Sequence, residues 1–361
     1  MKGEGMGKKP RLANYEALRI VAMLMVITMH YLQKGGLLAP LSENLGLPNL
    51  AAWLVEAFSI GAANAYVLIS GYFLAEAAWS WKKLLSLIAQ IWVYSVGVPL
   101  ICLGLGLGNV AEWELYDWVT VILPLQSEHY WFATAYVIMY LFVPVLQTGV
   151  RKLSQKQFQT MLLCLVLFFS LGKSLLPVAL PTDRYGYDYG WFVCLFLAAA
   201  YFRLYGFPWM EAKGRPWVVY AGSAILIWLL GAGAAIFEKK GLPLSYAGDM
   251  LYSYNHVLVL VLSAALFMAF GQLTVKKELL EKGIIRLAPY SFGVYLLHEN
   301  IAVRYLWQSW AGVEKVQGSL LFIPHMLVTV CLIYAIGAGV DFLRSRIAAG
   351  AIKAWKRKRE E

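Results

Sequence analysis

Residues 15–33 read YEALRIVAMLMVITMHYLQ, an apolar run long enough to cross a bilayer that nevertheless carries Glu16, Arg19 and His30. Ionisable groups inside lipid are costly, so they mark a functional site whose partners lie elsewhere in the chain. Arg19 and His30 have ten residues between them. At 100° per residue their eleven steps make about 1100°, within roughly 20° of three full turns, so both side chains share one helix face. They stand roughly 16 Å apart along the axis, about half the hydrocarbon thickness. One face therefore carries a cation near one leaflet and a titratable imidazole deep in the other.

Working outward, composition fixes the class. The 361 residues are 60% hydrophobic, 15% aromatic and 14% charged, with a mean hydropathy of +0.61, whereas soluble domains carry about 25% charged residues. The expected fold is all-α, a polytopic transmembrane helical bundle. Windows of about 19 residues place ten helices near 15–33, 50–74, 84–106, 130–148, 160–176, 190–204, 216–237, 253–271, 289–307 and 319–341. The stretch WELYDWVTVILPLQ at 113–126 reads as interfacial or re-entrant. Residues 1–14 form a basic N-terminus without a small-residue cleavage site, so the first helix is retained; 15–341 is the membrane domain, and 342–361 a basic tail suited to anionic headgroups. Cys102, Cys164, Cys194 and Cys331 each sit in an apolar stretch without a CxxC pair, and read as small core residues.

Charge orients the bundle. With the N-terminus inside, cytoplasmic segments collect Lys2, Lys8, Lys9 and Arg11, then Lys82 and Lys83, Arg151, Lys152 and Lys156, Arg203, Lys213 and Arg215, Lys276, Lys277, Lys282 and Arg286, and the tail from Arg344 to Arg359. Outer loops keep Lys34, Arg184, Lys239, Lys240 and Lys315, and are acidic at Glu112, Glu114, Asp117, Glu128, Asp183 and Asp188. This asymmetry predicts N-in and C-in. It also accounts for the net charge of +10 without nucleic acid, for which no motif is present.

Four strings in order, YEALRIVAMLMVITMH with its Arg-x10-His spacing, YVLISGYFL at 66–74, HYWFATAYVIMYLFVPVL at 129–146 and YSFGVYLLHEN at 290–300, resemble the acyltransferase-3 family of integral membrane acyltransferases, of the O-acetyltransferase type. The resemblance covers nearly the whole chain. It implies transfer of an acyl group, commonly acetyl from cytoplasmic acetyl-CoA, to a hydroxyl of a cell-envelope glycan or related extracytoplasmic acceptor. Acyl-CoA is then a donor substrate, with no tightly bound cofactor and no metal expected, and the protein resides in the cell membrane among lipids.

Each site residue has two readings. Arg19 suits a snorkelling anchor; the resemblance implies instead that its donor fork pairs with coenzyme A phosphates. Glu16, three residues earlier on the same face, either holds Arg19 for the donor or forms a plain surface pair. Ser70, Gly71 and Tyr72 are a packing contact of small residues or the lining of the donor entrance. His30 is an interfacial histidine or, as the family spacing implies, a general base or acyl carrier. His298, with Glu299 and Asn300, is an interhelical hydrogen-bond cluster or a second catalytic group beside the acyl path. Arg304 would bind an anionic acceptor or pair with Glu56. His129, Tyr130 and Trp131 stand on the acceptor side; the two aromatics read as an interfacial belt, and Trp131 also as a sugar platform. Tyr185, Tyr187, Tyr189 and Trp191 divide the same way, while His256 and His325 read as structural.

In the mechanism these residues imply, Arg19 holds the donor at the cytoplasmic mouth and His30 activates an acceptor hydroxyl from outside. The rival reading is a transporter or polysaccharide exporter without acyl chemistry, since a buried polar path serves solutes equally; a third is a structural envelope protein. With no hydrolase-like domain after the bundle, the expected transfer is direct or through a separate extracytoplasmic partner protein.

Overall fold

The helix expected around Arg19 and His30 forms as α1, Ala13–Lys34. In the computed structural model, which describes residues 11–360 apart from 177, 179, 180 and 182, the described residues form helices, turns and loops and no strand. Lys2, Lys8 and Lys9, counted above toward the orientation, lie outside the described residues. After α1 come α2 (Leu47–Ser59), α3 (Ala62–Leu74), α4 (Trp81–Leu105), α5 (Leu115–Ile122), α6 (Trp131–Lys152), α7 (Gln155–Val166), α8 (Tyr189–Tyr205), α9 (Arg215–Glu238), α10 (Val257–Gly271), α11 (Glu278–Leu287), α12 (Ser291–His298) and α13 (Phe322–Glu360), with shorter turns between them.

The protein is a polytopic helical bundle. Among the described residues seven helices are long and apolar enough to cross a membrane: α1, α2 with α3 as Leu47–Leu74, α4, α6, α7 extended to Ser174, α9 and α13. The windows at 190–204 and 253–271 hold helices of 17 and 15 residues, shorter than the ~20 residues that span the hydrocarbon core. The segment 113–126 carries the eight-residue α5 followed by turns. Of the cysteines, Cys102 and Cys194 are buried, but Cys164 and Cys331 face outward.

The window at 289–307 departs from expectation. The sequence predicts a continuous helix, yet α12 stops at His298, the chain turns from Glu299 to Leu306, and a single helical turn follows at Trp307–Trp310. Two side chains make the break tolerable: Asn300 Oδ1 accepts from the Ala302 N–H at 3.0 Å and His129 Nε2 from the Ile301 N–H at 3.1 Å. Irregular backbone at membrane depth survives only where protein groups satisfy it in this way. The break delivers Glu299 from a helix end.

Packing places α1 at the centre. It touches α2, α3, α10, α11, α12 and α13, and 67% of its apolar window is buried inside the protein, against 11% for α7. The helix with ionisable groups in its apolar run is thus surrounded by partners, and α7 is left to lipid. Close approach supports this arrangement elsewhere. Pro144 in α6 cannot donate to the Tyr140 carbonyl, and Trp79 Nε1 takes that carbonyl instead at 3.0 Å. A Cβ at Gly71 would lie 2.9 Å from Ala199 Cβ and 3.0 Å from Phe196 Cα, so α3 meets α8 almost backbone to backbone. Gly71→Val is expected to lower stability by about 1–3 kcal/mol, as overpacking does. An unchanged melting temperature in detergent would show that the helices are not this close.

Candidate active site

Two neighbouring cavities lie along the face of α1 that carries Arg19 and His30. The first, about 300 Å³, lies at the Arg19 end, and among the described residues its only charged lining groups are Arg11 and Arg19; Ser70, Gln90, Tyr136 and Ser291 add polar groups. The second is a narrow space of about 40 Å³ at the His30 end, walled by Trp131, Tyr254 and Tyr295. Tyr66, Phe132 and Phe292 line both. The shared face derived from the helical period therefore puts Arg19 in a basic cavity and His30 in the cavity next to it.

At the mouth, Arg19 Nη1 pairs with Glu16 Oε1 at 3.0 Å, and Arg11 approaches the same carboxylate at 4.0 Å. Glu16 is buried while Arg19 is partly exposed, so the acid holds one edge of the guanidinium and leaves the rest for a ligand. Tyr66 hydroxyl donates to the Arg19 carbonyl at 2.5 Å, fixing α3 against α1 at the same level. Ser70 lines the cavity. Gly71 faces α8, as above, and Tyr72 accepts from Arg203 Nη1 at 3.2 Å and packs on Tyr15. Those two residues stand beside the mouth and do not line it.

At the far end the tautomers follow from hydrogen bonding. His298 Nδ1 lies 2.7 Å from the Val294 carbonyl, which only accepts, so Nδ1 carries the proton and Nε2 is a free acceptor. His30 Nδ1 is 3.0 Å from that Nε2 and 3.1 Å from Glu299 Oε2. It must donate, shared between the two. The lone pair of His30 is thereby left on Nε2, on the other edge of a ring that lines the narrow cavity. A carboxylate fixing the ring from behind while the opposite nitrogen stays basic is the arrangement a general base needs.

Glu299 is held in turn. Lys34 Nζ lies 2.6 Å from Oε1 and also contacts Oε2, and Arg304 Nη1 stands 3.9 Å from Oε1. Lys34 is four residues past His30 on the same face of α1; that spacing was readable, but Lys34 counted only as a loop charge. The donor atoms of His30, His298 and Glu299 lie within 4.8 Å of one another, a set that would suit a divalent cation. Lys34 and, farther off, Arg304 already face the carboxylate such an ion would need, so its charge is met by protein cations.

Most of the other residues expected on the acceptor side serve the frame. His129 Nε2 accepts from Ile301, so its Nδ1 donates to Ser95 Oγ at 3.0 Å, and Ser95 donates to the Val121 carbonyl at 2.7 Å. Tyr130 is fully buried, donates to the Leu296 carbonyl at 2.9 Å and accepts from Asn300 Nδ2 at 2.8 Å. It is a core residue, where an interfacial belt was expected. Trp131 stacks on Tyr254 at 5.4 Å beside Tyr187 and lines the narrow cavity. Glu56 is buried and bonded by Gln33 Nε2 at 2.6 Å, so it is not the partner of Arg304. His325 lies between Tyr31 and the Ala311 carbonyl, and His256 accepts from the Leu258 N–H, both within the frame.

A many-helix membrane protein with a buried histidine–carboxylate pair in a cavity next to a basic one defines the class. The chain belongs to the acyltransferase-3 family, whose acyltransferase domain model matches residues 12–338, most of the sequence. No curated protein and no solved structure matches it significantly.

Proposed function

We propose that the protein is an acyl-CoA-dependent membrane O-acyltransferase, transferring acetyl from the cytoplasmic side to a hydroxyl of a cell-envelope glycan or related acceptor outside. What carries the reading is that Arg19 and His30 line neighbouring cavities along one face of α1, with Tyr66, Phe132 and Phe292 lining both. Family membership supplies the reaction class. Charge asymmetry supplies the direction, with the N-terminus, the Arg19 mouth and the basic tail in the cytoplasm.

In this mechanism Arg19, with Arg11 beside it, binds the donor phosphates and the thioester reaches toward His30. The acceptor hydroxyl comes to His30 from the other end. His30 Nε2 takes its proton as the oxygen attacks the thioester carbonyl carbon; the C–S bond then breaks, and the departing thiolate receives that proton from His30 Nε2. Glu299 stabilises the imidazolium formed in between. Protons balance without an external donor.

Turnover of labelled acetyl-CoA by purified protein in proteoliposomes, with a hydroxyl acceptor on the opposite face, tests the reading. Solute flux without coenzyme A binding would favour a transporter instead. Arg19→Ala is expected to weaken coenzyme A binding about 10- to 100-fold, the worth of lost charge-assisted hydrogen bonds, with Arg19→Lys falling between. Calorimetric titration reads this directly, and equal affinities for all three proteins would remove Arg19 from the donor site.

A further inference from the structure

Gln90, which the motifs do not single out, lines the donor cavity from α4. Its Nε2 donates to Asp341 Oδ1 at 3.1 Å. Asp341 is 2% exposed and the same oxygen also receives Tyr94 Oη at 2.9 Å and Arg344 Nε at 2.6 Å. The carboxylate cannot easily move, because α12 presses on it: a Cβ at Gly293 would lie 2.3 Å from Asp341 Cγ. A carboxylate only accepts, so the Gln90 amide group is locked with its NH₂ toward Asp341 and its carbonyl Oε1 turned away. Gln90 is only half-buried, and the bond it makes among the described residues is the one from Nε2.

The chemistry of this oxygen differs from its surroundings. The cavity's guanidinium groups at Arg11 and Arg19 suit phosphate. A carbonyl oxygen repels phosphate oxygens and suits an N–H. Between the phosphates and the thioester, an acyl-CoA carries two secondary amides. Accepting the donor reading proposed above, we infer that Gln90 Oε1 accepts a hydrogen bond from an amide N–H of the pantetheine arm, and that Asp341 is the positioning residue that fixes this acceptor. The site then selects pantetheine thioesters over acyl donors without an amide.

Gln90→Met keeps the side-chain length and removes the acceptor, while Tyr94 and Arg344 still satisfy Asp341. Inhibition constants of coenzyme A, pantetheine and adenosine 3′,5′-bisphosphate are measured on wild type and variant, with kcat at saturating acetyl-CoA. Coenzyme A and pantetheine are expected to weaken by the same factor, up to about tenfold for one lost hydrogen bond. The bisphosphate should stay unchanged. A loss confined to the bisphosphate would move Gln90 to the adenine, and equal affinities for all ligands, or a fall in kcat alone, would equally overturn the assignment. If wild-type protein binds no coenzyme A, the donor reading falls and this inference with it, an outcome distinct from the others.

Discussion

His30→Ala is expected to lower acyl transfer by about 10²- to 10⁴-fold, the usual contribution of a positioned general base, while the bundle stays folded. The fold is spared because the ring is not what neutralises the buried charge: Glu299 retains Lys34 and, farther off, Arg304. His298 loses one partner but keeps the Val294 carbonyl. Removing the imidazole leaves a space beside the narrow cavity, so added imidazole should restore part of the rate without changing the KM for the donor. A variant at wild-type turnover in the proteoliposome assay would remove His30 from the chemistry. A variant that also loses coenzyme A binding would make its role structural, since the proposed donor mouth at Arg19 lies three helical turns away.

The same contrast shows what the sequence disclosed and why the rest stayed hidden. The Arg19 and His30 relation is local: both residues ride one helix, and the helical period alone puts them on one face. Glu299 is distant along the chain, and its meeting with His30 depends on where α12 stops. Hydropathy averaging over 289–307 conceals that stop, because the flanking residues are apolar and the break is sustained by single side chains, Asn300 and His129. His129 read as an acceptor-side residue from its place just before Trp131, whereas its ring satisfies the Ile301 N–H. Gln90 carried no signal, since an uncharged side chain within an apolar helix becomes informative only when the carboxylate behind it is known.

Glu299→Gln is expected to fail in two separable ways. Breaking a buried ion pair by removing one partner costs about 3–5 kcal/mol, because the other charge is left without compensation; here Lys34 would be stranded among groups that are nearly inaccessible. Turnover should fall as well, by 10²-fold or more, because the amide no longer stabilises the imidazolium on His30 that forms as the acceptor is deprotonated. Adding Lys34→Met to the same protein removes the stranded cation. The double variant should therefore recover most of the lost thermal stability in detergent and none of the lost turnover, which a purely structural Glu299 would not allow. If the double variant regained activity together with stability, Glu299 would be a counter-ion for Lys34 alone. If Glu299→Gln instead matched wild-type turnover, the histidine would work without its carboxylate, and the proposed route from Arg19 to His30 would need another source of stabilisation for the charge developing at its far end.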